Sequence, residues 1–143
     1  MNNLTLRDGA NTGAIRVWLR AEGLSVLTLS VLLYWHSGSS WWMFAGLLLA
    51  PDLSMLPYLL NARVGGICYN IVHSYLLPLG LATVVIAANR VGMLPILFIW
   101  TTHIGMDRFL GYGLKYPTAF GDTHIGTFRK GPEILVGASG NER

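Results

Sequence analysis

Charge is what this chain has least of. Only 12% of its 143 residues are Asp, Glu, Lys or Arg, where a soluble domain carries about a quarter. That shortage argues against an ordinary water-soluble domain. A hydrophobic share of 52% excludes disorder as well. Basic residues outnumber acidic ones only by ten to seven. Nothing resembles the basic run that tracks nucleic acid, so no such partner is expected. Cysteine is nearly absent. The lone Cys68 can form no internal disulfide and reads as a small core residue in an apolar stretch. A cleavable signal is not evident either. Residues 1–15 are polar and rich in Gly and Asn, and the first apolar run continues for a full span, so it reads as a retained helix.

What the chain does have is four long apolar runs, at 17–36, 41–60, 64–88 and 91–110, and a mean hydropathy of +0.48. A bilayer core of about 30 Å takes about 20 helical residues, and each run meets that length. Membrane strands would alternate over about ten residues, which LLYW and AGLLLA do not. Helices satisfy their own backbone where lipid cannot. The connections at 37–40, 61–63 and 89–90 are short, which forces antiparallel neighbours. The expected fold is therefore all-α, a polytopic up-down four-helix transmembrane bundle. After it comes an interfacial loop over 111–136, where Tyr112, Tyr116, Phe120 and Phe128 suit a headgroup layer. Five Trp and six Tyr suit interfacial belts in the same way. Residues 137–143 read as a frayed tail and 1–15 as an N-terminal one.

Orientation follows from the basic residues. Arg7, Arg16, Arg20, Arg63, Arg108, Lys115, Arg129, Lys130 and Arg143 fall on the side that holds both termini, and Arg90 alone on the other. The positive-inside rule makes the first side cytoplasmic.

Ionisable groups inside a span are costly and by default mark function. Five qualify: Glu22, Asp52, His73, His103 and Asp107. At the helical rise they lie roughly 5–14 Å from the cytoplasmic side, a single layer drawn from all four spans. His103 and Asp107 are spaced i,i+4 and share a face. Tyr69 and Asn70 give His73 polar company one turn away, and Pro51 frees a carbonyl near Asp52. Two imidazoles and two carboxylates are sensible ligands for zinc, manganese or iron. We therefore assign Asp52, His73, His103 and Asp107 as metal ligands, with Glu22 and Asp52 in catalytic roles, Glu22 as base or proton carrier. Asp122 and His124 are the candidate lid. A metal with an open position would activate water against a lipid or amphiphile held at headgroup depth. Three alternatives stay open: a polar network that only fixes helix packing, with Arg63 and Arg108 pairing the acids; a proton or ion carrier, which with so few helices needs a homo-oligomer; and an accessory subunit of a larger membrane complex.

The segments PDLSMLPY (51–58), YNIVHSYLLP (69–78) and HIGMDRFLGYGLKYPTAFGDTHIG (103–126), with the Arg20-Ala21-Glu22-Gly23 start of the first span, carry a family resemblance. Over roughly 16–128 the chain resembles a family of small bacterial integral membrane proteins known only as a domain of unknown function. The resemblance implies four membrane helices, a place in the bacterial plasma membrane, and no established activity. The Pro51-Asp52 pair followed by membrane histidines is also similar to small membrane-bound metal-dependent hydrolases. Those carry more His ligands and a second Asp near the pair, where Leu53 and Ser54 stand here.

Overall fold

A computed structural model describes residues 3–114, 122–123 and 126–127, with side chains over 13–114. The expectations placed on Lys115, Tyr116, Phe120, His124, Phe128, Arg129, Lys130 and the tail from 137 lie outside the described residues, as does the loop at 111–136 apart from 111–114, 122–123 and 126–127.

Five α-helices are described: α1 (Asn3–His36), α2 (Trp41–Leu47), α3 (Ala62–Val72), α4 (Leu76–Ala87) and α5 (Leu94–Leu110). A 3-10 helix, Ala50–Leu59, follows α2, a single 3-10 turn, Val91–Met93, precedes α5, and β1 (Asp122–Thr123) pairs antiparallel with β2 (Gly126–Thr127). Two segments, Gly13–His36 and Trp41–Leu59, are long and apolar enough to cross a membrane. A third joins them if α3 and α4, bent by 42°, count as one span. The first helix begins at Asn3, well ahead of the expected start at 17.

Prolines explain where the runs depart from plain α-helix. Pro51 and Pro57 each lack the N–H that an α-helix needs, and the chain between them takes the tighter 3-10 winding. Ten residues of 3-10 helix are unusual. The winding also lengthens the segment: with the larger rise, α2 and the 3-10 helix together reach roughly 30 Å. The run at 64–88 breaks at 73–75. Pro78, four residues past Ser74, has no N–H for the Ser74 carbonyl, and its ring collides with that turn. The ends are capped: Asn61 Oδ1 accepts from Val64 N–H at 2.8 Å, and Gly111, at φ 97°, closes α5 while Tyr112 N–H reaches back to the Asp107 carbonyl at 2.7 Å.

Helices α1 and α5 run antiparallel in close contact. A Cβ on Gly105 would lie 2.8 Å from Leu27 N and 2.9 Å from Gly23 O, and one on Gly23 would lie 2.7 Å from Phe109 N. Glycine at both positions lets the two backbones touch, as membrane helices often require. Further along, Ser30 Oγ and Thr101 Oγ1 share a buried hydrogen bond of 2.8 Å. At the other end of α1, Tyr34 is fully buried, its hydroxyl donates to the Ser40 carbonyl at 2.6 Å, and Trp41 and Phe44 pack edge-on against its ring.

The distribution of polarity is inverted relative to a water-soluble domain. His73 and His103 are buried, while Trp42, Leu59 and Leu76 are more than four-fifths exposed. Apolar side chains turned outward are what a lipid solvent selects.

Candidate metal centre

Four of the five ionisable residues singled out in the spans meet at one place. Asp52 comes from the first turn of the 3-10 helix, His73 from the residue that ends α3, and His103 and Asp107 from one face of α5. The local sequence dictates each position. Pro51 starts the 3-10 turn that aims Asp52 inward. The helix break set by Pro78 places His73 at the corner between α3 and α4, and the i,i+4 spacing stacks His103 above Asp107.

The two imidazoles face each other, Nε2 to Nε2, at 3.1 Å. Asp52 Oδ1 lies 3.5 Å from His73 Nε2 and 3.4 Å from His103 Nε2. These three atoms form a nearly equilateral triangle. Ligands at 2.0–2.2 Å from a tetrahedral ion are separated by about 3.3–3.6 Å, so two sides match that spacing and the His–His side is slightly shorter. Asp52, His73 and His103 are thus a group whose ligand atoms could share a single ion. Asp107 Oδ2 stands farther out, 3.7 Å from His73 Nε2 and 3.8 Å from His103 Nε2.

The surroundings fix the geometry of the cluster. His73 Nδ1 lies 3.1 Å from the Tyr69 carbonyl. A carbonyl only accepts, so the proton sits on Nδ1 and the Nε2 lone pair is free to face the centre. A backbone carbonyl holding the remote nitrogen is the usual partner of a ligating histidine. The Tyr69 ring stacks on His73 at 3.8 Å between centroids, 15° from parallel, and its hydroxyl donates to Asp107 Oδ2 at 3.3 Å. His103 Nδ1 is buried with no hydrogen-bond partner among the described residues.

Arg108 and Trp100 hold the corner of the chain that carries His73. The break leaves carbonyls there without helical donors. Arg108 donates to the His73 carbonyl at 3.0 Å and to the Tyr112 carbonyl at 3.0 Å, and the Trp100 indole donates to the Val72 carbonyl at 2.9 Å. The Trp100 indole is half-buried, with a backbone partner for its N–H. Arg108, which the packing alternative pairs with an acid, donates to two carbonyls, that of His73 at the helix break and that of Tyr112 past the end of α5.

The remaining site residues are placed differently. Glu22 is exposed on α1, and no hydrogen bond or ion pair joins it to the cluster among the described residues. Asp122 lies in β1, its backbone paired with Thr127, and His124 is outside the described residues. Sequence spacing showed Tyr69 one turn from His73. It gave no sign of the phenol's other partner, 38 residues away, nor of the role of Arg108.

The chain matches no curated protein and no solved structure. A family match covers residues 16–128, a stretch that contains all four clustered side chains together with Tyr69, Trp100 and Arg108. The chain belongs to the family described as Domain of unknown function (DUF4260).

Proposed function

We propose that Asp52, His73 and His103 bind one divalent metal ion, that Asp107 stands at its edge as a fourth ligand or proton acceptor, and that the centre hydrolyses a lipid or another amphiphile. The observation that carries this reading is the triangle of ligand atoms with sides of 3.1, 3.4 and 3.5 Å. Three protein ligands leave a tetrahedral ion one position for water, whose pKa such an ion lowers toward neutrality. Asp107, steadied by the Tyr69 hydroxyl, is the carboxylate nearest the two imidazoles after Asp52, and it is suited to receive the proton that water gives up.

A four-pass topology with both termini in the cytoplasm supplies the setting. The antiparallel contact of α1 with α5 supports an even number of passes. Helix α5, at 17 residues, is about 26 Å long and suits a thin or tilted span. The bias of basic residues supports the assignment of sides. On that topology the cluster sits within headgroup reach of the inner leaflet.

The test is metal analysis of protein purified in detergent without chelators. A stoichiometric ion that is lost in His73→Ala and in His103→Ala is the expected result. Metal-free protein that takes up no zinc, manganese or iron while folded would overturn the reading. The cluster would then be a packing network, in which the same bonds only join the helices.

A further inference from the structure

An apolar cavity of about 250 Å³ is lined by Leu47, Ala50, Pro51, Val72, Ile96, Ile99 and Trp100, close in sequence to the clustered side chains. Pro51 is bonded to Asp52 and Val72 to His73, and Ile99 is one helical turn before His103. The cavity wall and the ligand triangle are thus built from the same three chain segments. Its floor is buried, at Pro51 and Ile99, and Leu47 and Ile96 at its rim are exposed, so it opens sideways to the outer surface of the helices.

We infer that this cavity receives the acyl chain of a membrane phospholipid whose polar part lies at the Asp52–His73–His103 cluster. The inference rests on the proposed metal centre and names the substrate class for it. The order of residues gives the direction. Leu47, Ala50 and Pro51 precede Asp52, and Ile96, Ile99 and Trp100 precede His103. In the proposed topology both segments run toward the cytoplasmic side, so these six lining residues lie on the midplane side of the ligands, while Val72, on the oppositely directed α3, is level with His73. A lipid of the inner leaflet has that polarity, headgroup outward and chain toward the midplane. At roughly the 30 Å³ that a water-sized group occupies in a liquid, the cavity holds roughly eight methylenes. The rest of a longer chain leaves by the open rim into the bilayer. Nothing polar in the seven lining side chains recognises the occupant except the Trp100 indole, and its N–H is already bonded to the Val72 carbonyl. Selection by the wall is therefore for apolar bulk alone.

The experiment uses the full chain in phosphatidylcholine vesicles containing a phospholipid with a diazirine in mid-chain. After irradiation, adducts are mapped by peptide mass spectrometry. The expected result is labelling of Ile96, Ile99 and Trp100 above that of Leu79 and Val84, which are exposed on α4 and report general lipid contact. Ala50→Trp fills the cavity and should abolish the excess at Ile99 and Trp100 while Leu79 and Val84 stay labelled. Leu47→Trp serves the same purpose if Ala50→Trp does not fold. Equal labelling of all five positions, or an excess that survives both fillings, overturns the inference. So does labelling by a diazirine fatty acid but not by the phospholipid. The readout needs no metal, so an absent ion with cavity labelling intact counts against the centre alone. A bound ion without cavity labelling counts against the acyl site alone.

Discussion

His73 is held from four directions, and each contact makes a separable claim. Its Nδ1 proton goes to the Tyr69 carbonyl, its ring lies on the Tyr69 ring, its Nε2 faces His103, and its carbonyl takes a donor from Arg108. Tyr69→Phe keeps the stack and removes only the hydroxyl that steadies Asp107. Loss of such an outer partner lowers metal affinity about 10-fold or more, read by competition with a chromogenic chelator; unchanged affinity would mean that Asp107 takes no part in binding. Arg108→Lys replaces a planar fork with a point charge that reaches one carbonyl at a time. A loss of about 1–3 kcal/mol in unfolding free energy is expected from the carbonyl left bare, and Arg108→Lys protein as stable as the parent would contradict that role. Glu22→Gln should leave metal content unchanged, since Glu22 is exposed and unconnected to the cluster among the described residues. At this scale the sequence was informative about grouping. The rise per residue put Asp52, His73, His103 and Asp107 at one expected level, and the structure brings their side chains together. It was silent about facing direction: the same rise put Glu22 at that level, and no described hydrogen bond or ion pair joins Glu22 to the group.

The elements show why spacing arguments went only so far. Lengths of apolar runs were legible because lipid thickness is fixed, and the segments at Gly13–His36 and Trp41–Leu59 agree with them. The interior of those runs was not. Membrane helices tolerate proline, so Pro51, Pro57 and Pro78 did not by themselves announce a ten-residue 3-10 helix or a break of 42°. Both irregularities lie at the cluster: the 3-10 turn presents Asp52 and the break presents His73. The close approach of α1 and α5 is a property of two elements at once, and glycine at positions 23 and 105 makes it possible. Gly105→Ala puts a methyl group within 2.8 Å of the α1 backbone. Backbone cannot swing aside as a side chain can, so the helices must part. The expected destabilisation is about 1–3 kcal/mol, measured by unfolding in mixed micelles. A neutral Gly105→Ala would show that the two helices do not pack this closely in the membrane.

Taken whole, the described residues turn many large apolar side chains outward, Trp42, Leu59 and Leu76 among them, and bury His73 and His103. Orientation is testable without reference to the centre. In a Cys68→Ser background, Ser39→Cys in the turn between α1 and α2 should react with a membrane-impermeant maleimide in intact cells, and Asn61→Cys only after permeabilisation. The reverse pattern would invert the proposed topology. The triangle of Asp52, His73 and His103 is either a binding site or a set of packing contacts. Metal content per chain, determined on folded protein prepared without chelators and repeated on His103→Ala, decides this most directly. The proposed metal centre predicts a stoichiometric divalent ion in the parent and none in the variant. Folded parent protein that holds no ion and takes none from micromolar zinc, manganese or iron would contradict it.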